Sequence, residues 1–282
     1  MTSEVPFRLA GGRQRLVLVS AEVNGVGPAP FVLDTGAGPC ILAPELARRA
    51  GVVATETQEA TGAGGRMEIA LGAASLVLGE EKIPDVPVAI TDELARIAQA
   101  VCAPIEGGLG HAFLRHFRLT IDYAACRLFL ERPSETAPAA GEGEVAFRLA
   151  GEDKPLVLVP VRMAGEGPFT FALDTGASTT VVSPELARRL GIRGGRIAAM
   201  TGGGGRASGL VGRSGSVAVG AAEVGEMDVV VGPFLTPLSE VVGTRLDGIL
   251  GFNFLREFLV TIDYPAGRLG LESPGAAALA AS

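Results

Sequence analysis

Tryptophan is absent from this 282-residue chain, and histidine and tyrosine occur only twice each. The two histidines, His111 and His116, stand five apart with no ligand cluster around them, so we expect packing or solvent-facing roles and no metal site. Serine-hydrolase chemistry finds no support: GRSGSV from Gly212 lacks the last glycine of G-x-S-x-G, and the second half has no histidine. The three cysteines, Cys40, Cys102 and Cys126, form no C-x-x-C pair and cannot all be matched within one chain. They read as small, mostly buried apolar side chains, with a single Cys102–Cys126 bridge left open. Cys40 aligns with Thr180 in the repeat described below, which argues against a cysteine nucleophile.

Positive charge is also scarce. Lys and Arg number 24 against 31 Asp and Glu, a formal net charge of -7, and no basic patch offsets it, so nucleic acid and anionic membranes are not expected partners. The paired arginines of ELARRAG and ELARRLG fit a solvated helix face. No apolar run approaches the ~20 residues that span a bilayer. The opening MTSEVPFRLAGG has neither a basic start nor an apolar core, which makes the cytoplasm the default, and the periplasm or the exterior the alternative if a leader has been removed.

What the chain has in abundance is glycine, 40 residues, within a 48% hydrophobic composition that favours short strands and tight turns. It also repeats itself. FRLAGGRQRLVLV from Phe7 returns as FRLAGEDKPLVLV from Phe147, APELARRAG from Ala43 as SPELARRLG from Ser183, and TGAGGR from Thr61 as TGGGGR from Thr201. Further on, GLGHAFLRHFRLTIDY from Gly108 returns as ILGFNFLREFLVTIDY from Ile249. The repeat divides the chain into modules at 1–133 and 145–275, a Pro-, Gly- and acid-rich linker at 134–144 and a tail at 276–282. LVLVPVRMAG, SVAVGAAEV and DVVVG read as strands, and SPELARRLGI as a short helix with Ser183 as its cap. Ala43 replaces that cap in the first copy, so the first helix should be the less well terminated.

Both copies carry an apolar strand ending in Asp-Thr-Gly, at FVLDTGAGPC from Phe31 and FALDTGASTT from Phe171. One such tripeptide is an ordinary turn. Two, each followed by an apolar-Gly loop, IEGGLG from Ile105 and LDGILG from Leu246, carry more weight. On Asp34-Thr35-Gly36-Ala37, Asp174-Thr175-Gly176-Ala177 and the loops containing Gly107, Gly110, Gly248 and Gly251, the chain resembles the aspartic peptidases, in particular bacterial single-chain relatives of the retroviral enzymes.

The resemblance implies an all-β fold with a few short helices: two retropepsin-like β-barrel lobes related by a pseudo-twofold axis. It implies a catalytic pair, Asp34 and Asp174, and threonines Thr35 and Thr175 that hydrogen-bond across the axis. It also implies a peptide or protein substrate, no cofactor, and a monomer that is an internal pseudo-dimer. A fold-preserving peptide-binding or scaffolding protein is the alternative.

The Gly-rich turns at Gly62, Gly64 and Gly65 and at Gly202, Gly204 and Gly205 fit neither phosphate-binding glycine motif. The resemblance implies that they are flaps over a cleft, and plain surface hairpins are the alternative. With few aromatics and many aliphatic residues, the subsites should be apolar and moderate in size. The first copy departs from the second at Gly38-Pro39 for Ser178-Thr179, Glu106 for Asp247 and His111-Ala112 for Phe252-Asn253, which leaves the precision of its side of the cleft open.

Overall fold

The computed structural model describes residues 2–12, 15–133, 143–151 and 155–274. Of the expected linker, 134–142 lie outside them, as does the whole of the expected tail. The described residues are mostly strand, with six short helices.

Each half folds into its own sheet, and a third sheet joins the halves. The joining sheet has six strands in the order Thr2–Pro6, Arg127–Glu131, Arg118–Asp122, Leu259–Asp263, Arg268–Glu272, Val145–Ala146. Its two central strands are the LTID and VTID segments of the repeat, paired antiparallel so that Thr120 faces Thr261, their hydroxyls 3.0 Å apart. The local twofold therefore passes through equivalent residues. Glu144, at the end of the expected linker, pairs with Arg118 and Arg268 and is anchored to this sheet.

Alternation drives the strands inward: in Thr2–Pro6, Ser3 and Val5 are buried and their neighbours exposed. The main core cluster takes residues from both halves, including Phe31, Phe113 and Phe117 of the first and Phe171, Phe254 and Phe258 of the second. Burying such side chains contributes roughly 1.5–3 kcal/mol each, so the halves are bound by shared apolar surface as well as by a shared sheet. Two smaller clusters lie one per lobe, around Leu16, Leu18 and Leu94 and around Leu156, Leu158 and Leu238.

Both PELARR helices form, at Pro44–Arg49 and Pro184–Arg189. Ser183 Oγ accepts the Leu186 amide at 3.1 Å, while Ala43 offers no side-chain cap. Two further helices, Glu93–Val101 and Leu235–Val241, were not anticipated from the repeat, because TDELARIAQAV and PFLTPLSEVV share no motif. The cysteine expectation needs correcting. All three thiols are free, so the Cys102–Cys126 bridge is not formed. Only Cys40 is fully buried; Cys102 is exposed, ending its helix in the left-handed conformation with φ 50°. No helix among the described residues is long and apolar enough to cross a membrane.

Ser183→Ala should lower stability by about 1 kcal/mol, and Ala43→Ser should raise it by a similar or smaller amount. Urea denaturation of the two variants checks this; equal and negligible shifts would remove the capping explanation.

Candidate active site

The strand Val26–Leu33 delivers Asp34, and Glu166–Leu173 delivers Asp174. In each lobe a short strand, Gly107–Leu109 or Gly248–Leu250, runs parallel to the strand before the aspartate and antiparallel to the one after it. Its last carbonyl, Leu109 O or Leu250 O, accepts the aspartate amide at 3.0 Å. The chain can close this tightly only without side chains. A Cβ on Gly107 or Gly248 would meet the Phe31 or Phe171 ring at 2.2 Å, and one on Gly110 would meet Pro39 O at 2.3 Å. Gly251 is held likewise against Ala177 O. The Ala37 and Ala177 carbonyls accept the His111 and Phe252 amides at 2.8 Å, tying each aspartate loop to the helix after it.

Across the twofold, the threonines exchange hydrogen bonds. Thr35 N donates to Thr175 Oγ1 at 3.1 Å and Thr175 N to Thr35 Oγ1 at 3.0 Å. Each hydroxyl donates in turn to the strand end of the other lobe, Thr35 Oγ1 to Leu173 O at 3.0 Å and Thr175 Oγ1 to Leu33 O at 2.7 Å. Both threonines are buried. The carbonyl before each aspartate is thus bonded to the opposite loop.

This interlock brings the carboxylates together. Gly36 N donates to Asp34 Oδ1 at 2.9 Å and Gly176 N to Asp174 Oδ1 at 2.8 Å. A Cβ on Gly36 would fall 2.7 Å from Asp174 Oδ2, and one on Gly176 would fall 2.8 Å from Asp34 Oδ1 and 3.1 Å from Asp174 Oδ1. The two Oδ1 atoms therefore lie no further apart than two such contacts, and each carboxylate occupies space that only glycine leaves.

Sequence reading missed the supports of this arrangement. Gly110 N reaches Cys40 Sγ at 3.4 Å, and Gly251 N donates to Thr180 Oγ1 at 3.2 Å, so a thiol and a hydroxyl do the same work in the two lobes. The repeat aligns Cys40 with Thr180, but that both face a glycine amide shows only in the fold. Burial pushes the Cys40 thiol up to about 12, which keeps it protonated. Asn253 bonds Thr180 N and Asp228 O in the second lobe, where the first has Ala112. Glu106 takes Arg49 as its partner, whereas Asp247 pairs with Arg245 at 3.0 Å and also accepts the Thr170 amide at 2.9 Å.

Near the pair lie Tyr123 and Tyr264, each edge-on to a ring of the opposite lobe, Phe252 at 5.4 Å and His111 at 5.5 Å. Burial, and then the charge of the aspartates, raises both phenols, Tyr123 through Asp174 and Tyr264 through Asp34 and Asp174. They stay neutral. His111 packs as expected, while burial, then Arg115 and His116, lowers it to about 4. His116, less enclosed, is also lowered by burial.

Above the pair, the Gly-rich turns cap two hairpins, Glu56–Gly62 with Gly65–Leu78 and Arg196–Gly202 with Gly205–Arg213. Their tips meet: Gly64 N donates to Gly203 O at 2.8 Å, and a Cβ on Gly62 or Gly204 would strike the opposite tip. The lobes cross-brace here, Glu93–Val101 touching the second hairpin and Leu235–Val241 the first. Between the hairpins and the aspartates runs a cleft of about 730 Å³, lined by Asp34, Asp174 and aliphatic side chains such as Ile41, Leu94, Val181 and Leu238.

The profile of a family described as aspartyl protease matches residues 19–113 and again 159–254, once per lobe. No curated protein matches the chain.

Thr35→Val or Thr175→Val leaves a buried amide and a buried carbonyl without partners, which costs roughly 3 kcal/mol. Either variant should unfold at lower denaturant than Thr120→Val, and parity between them would discount the interlock. His111→Phe, which installs the residue of the second lobe, should remove an acid sensitivity. The unfolded histidine binds its proton near 6.5 and the folded one only near 4, so the wild type loses stability relative to this variant as pH falls through that window. A stability difference that is constant from pH 7 to pH 4 would contradict this.

Proposed function

Since the chain belongs to the aspartyl protease family, we propose that it is an endopeptidase of the retropepsin-like, internally duplicated kind, acting as a monomer on peptide segments bound in the inter-lobe cleft. The observation that carries this reading is the pairing of Asp34 and Asp174. Each is fixed by the glycine amide of its own loop and abuts the glycine of the other.

Two carboxylates this close do not both ionise at low cost, so the pair retains a proton and titrates in two coupled steps. That gives one acid and one base at the same place. The ionised carboxylate takes a proton from a water as the water oxygen bonds to the peptide carbonyl carbon. The protonated carboxylate gives its proton to the carbonyl oxygen, producing a neutral gem-diol. Collapse breaks the C–N bond, with one carboxyl proton passing to the leaving nitrogen and one hydroxyl proton returning to the pair. The glycine amides hold the carboxylates in place, and the hairpins cover the peptide and exclude bulk water.

The aliphatic lining favours apolar side chains next to the scissile bond. Cross-lobe threonine bonds fix the pair's separation, so little reorganisation is needed when charge moves.

Asp34→Asn and Asp174→Asn should each lower kcat/KM on a cleaved peptide at least ~1000-fold while the protein remains folded. A peptide-library assay read by mass spectrometry checks this; a wild type no faster than either variant points instead to a binding protein. Cleavage should also fall about tenfold per pH unit above the upper apparent pKa, because losing the retained proton removes the general acid. A flat profile from about pH 4 to 9 would exclude the shared-proton mechanism.

A further inference from the structure

The two ends of the cleft are not alike, although the lobes that build them are. At one end a polar recess of about 460 Å³ opens between the helix Glu93–Val101 of the first lobe and the hairpin of the second. Arg96, Gln99, Ala100, Thr201 and Arg206 line it, and Ala100 and Thr201 also line the main cleft, so the two spaces adjoin.

Arg96 is held in place by Glu93, which is buried: Nη2 lies 2.9 Å from Oε1 and Nη1 3.1 Å from Oε2. Its Nη1 lies 3.6 Å from where a Cβ of Gly205 would sit, against the tip of the second hairpin. Arg206 stands across the hairpin from Thr201 and has no ion-pair partner among the described residues. One arginine is therefore matched and oriented, and the other supplies an uncompensated positive charge.

The opposite end lacks this excess. Arg66, which the repeat places opposite Arg206, pairs with Glu59 at 3.6 Å. The helix touching that hairpin, Leu235–Val241, brings Glu240 and no basic residue.

We propose that this recess is a specificity subsite for a carboxylate of the bound peptide, either an acidic side chain or the chain terminus, and that Arg206 is its main determinant. This rests on the peptidase reading given above. Arginine donates two parallel hydrogen bonds to a carboxylate, and the oriented Arg96 and the Gln99 amide add further donors at the rim. Neither aspartate lines the recess, so a carboxylate held there contributes binding that is equal in ground and transition states, and acts on KM rather than kcat. Because both arginines are exposed, added salt weakens it.

The test walks one glutamate along an otherwise neutral, amide-terminated peptide that the wild type cleaves, against glutamine at each position. A second arm compares free-acid and amide termini. Glutamate should raise kcat/KM about tenfold at one position on one side of the scissile bond. A preference seen only with the free acid identifies the chain terminus as the ligand. Arg206→Gln should bring the ratio to about one, Arg66→Gln should retain it, and Arg206→Glu should favour lysine. A wild-type ratio near one at every position and at the terminus, or a ratio that Arg206→Gln leaves intact, overturns the proposal.

If the wild type cleaves no peptide, the peptidase reading fails, and the recess is judged by binding alone. Fluorescence anisotropy of the labelled peptides on the Asp174→Asn protein should then show about tenfold tighter binding of a carboxylate-bearing peptide. Equal or absent binding overturns the proposal independently.

Discussion

Two acidic side chains, each set against the glycine of the other's loop, are the constraint to which the rest of this structure answers. Left alone, Asp34 and Asp174 would separate by loop motion, since their charges repel and water solvates each better singly. What prevents it is the reciprocal set of bonds made by Thr35 and Thr175, with hydroxyls reaching the Leu173 and Leu33 carbonyls of the opposite lobe. Those carbonyls immediately precede the aspartates, so the bond that joins the lobes also aims the carboxylates. The glycines at 36 and 176 then matter for the space they leave.

Such precision needs a rigid base. The shared sheet, centred on Thr120 and Thr261, and a core drawn from both halves make one foundation out of two modules. The hairpins are supported differently, by glycine tips touching one another and by a helix from the opposite lobe. That division suits a site whose floor must stay fixed and whose roof must admit a chain. Duplication supplies the twofold, and divergence after it supplies direction. Arg66 pairs with Glu59 and Arg206 has no ion-pair partner among the described residues, a difference that, on the proposed reading, lets a symmetric fold distinguish the two ends of an asymmetric ligand.

Much of this was legible in the sequence because the repeat copies its turns literally. The two Asp-Thr-Gly loops, the apolar-Gly strands, the Gly-rich hairpin tips and the PELARR helices recur in the same order with turn chemistry that leaves few alternatives. Local caps could be read residue by residue, as the contrast between Ser183 and Ala43 shows. The helix Glu93–Val101 has a legible helical period, with Leu94, Ile97, Ala98 and Val101 on one face, but neither it nor Leu235–Val241 follows from the repeat, because their sequences have diverged, and their contact with the hairpin of the other lobe is one that no local pattern encodes. Cys40 was judged as a buried apolar side chain, yet its sulfur stands where Thr180 places an oxygen, and only the fold shows that both face a glycine amide. Cys102 departs from the expectation because it ends its helix on the exposed surface, a placement its residue type does not reveal.

The account stands most directly on how the pair titrates. Carbon-13 spectra of aspartate-labelled protein, with the Asp34 and Asp174 carboxyl signals assigned from the two Asp→Asn variants, follow each group from acid to alkaline pH. Two coupled steps separated by at least about two pH units, with both signals moving in each, are the expected result. Two independent carboxylates titrating together near pH 4 would show that no proton is held in common, and the proposed chemistry would have no acid to draw on.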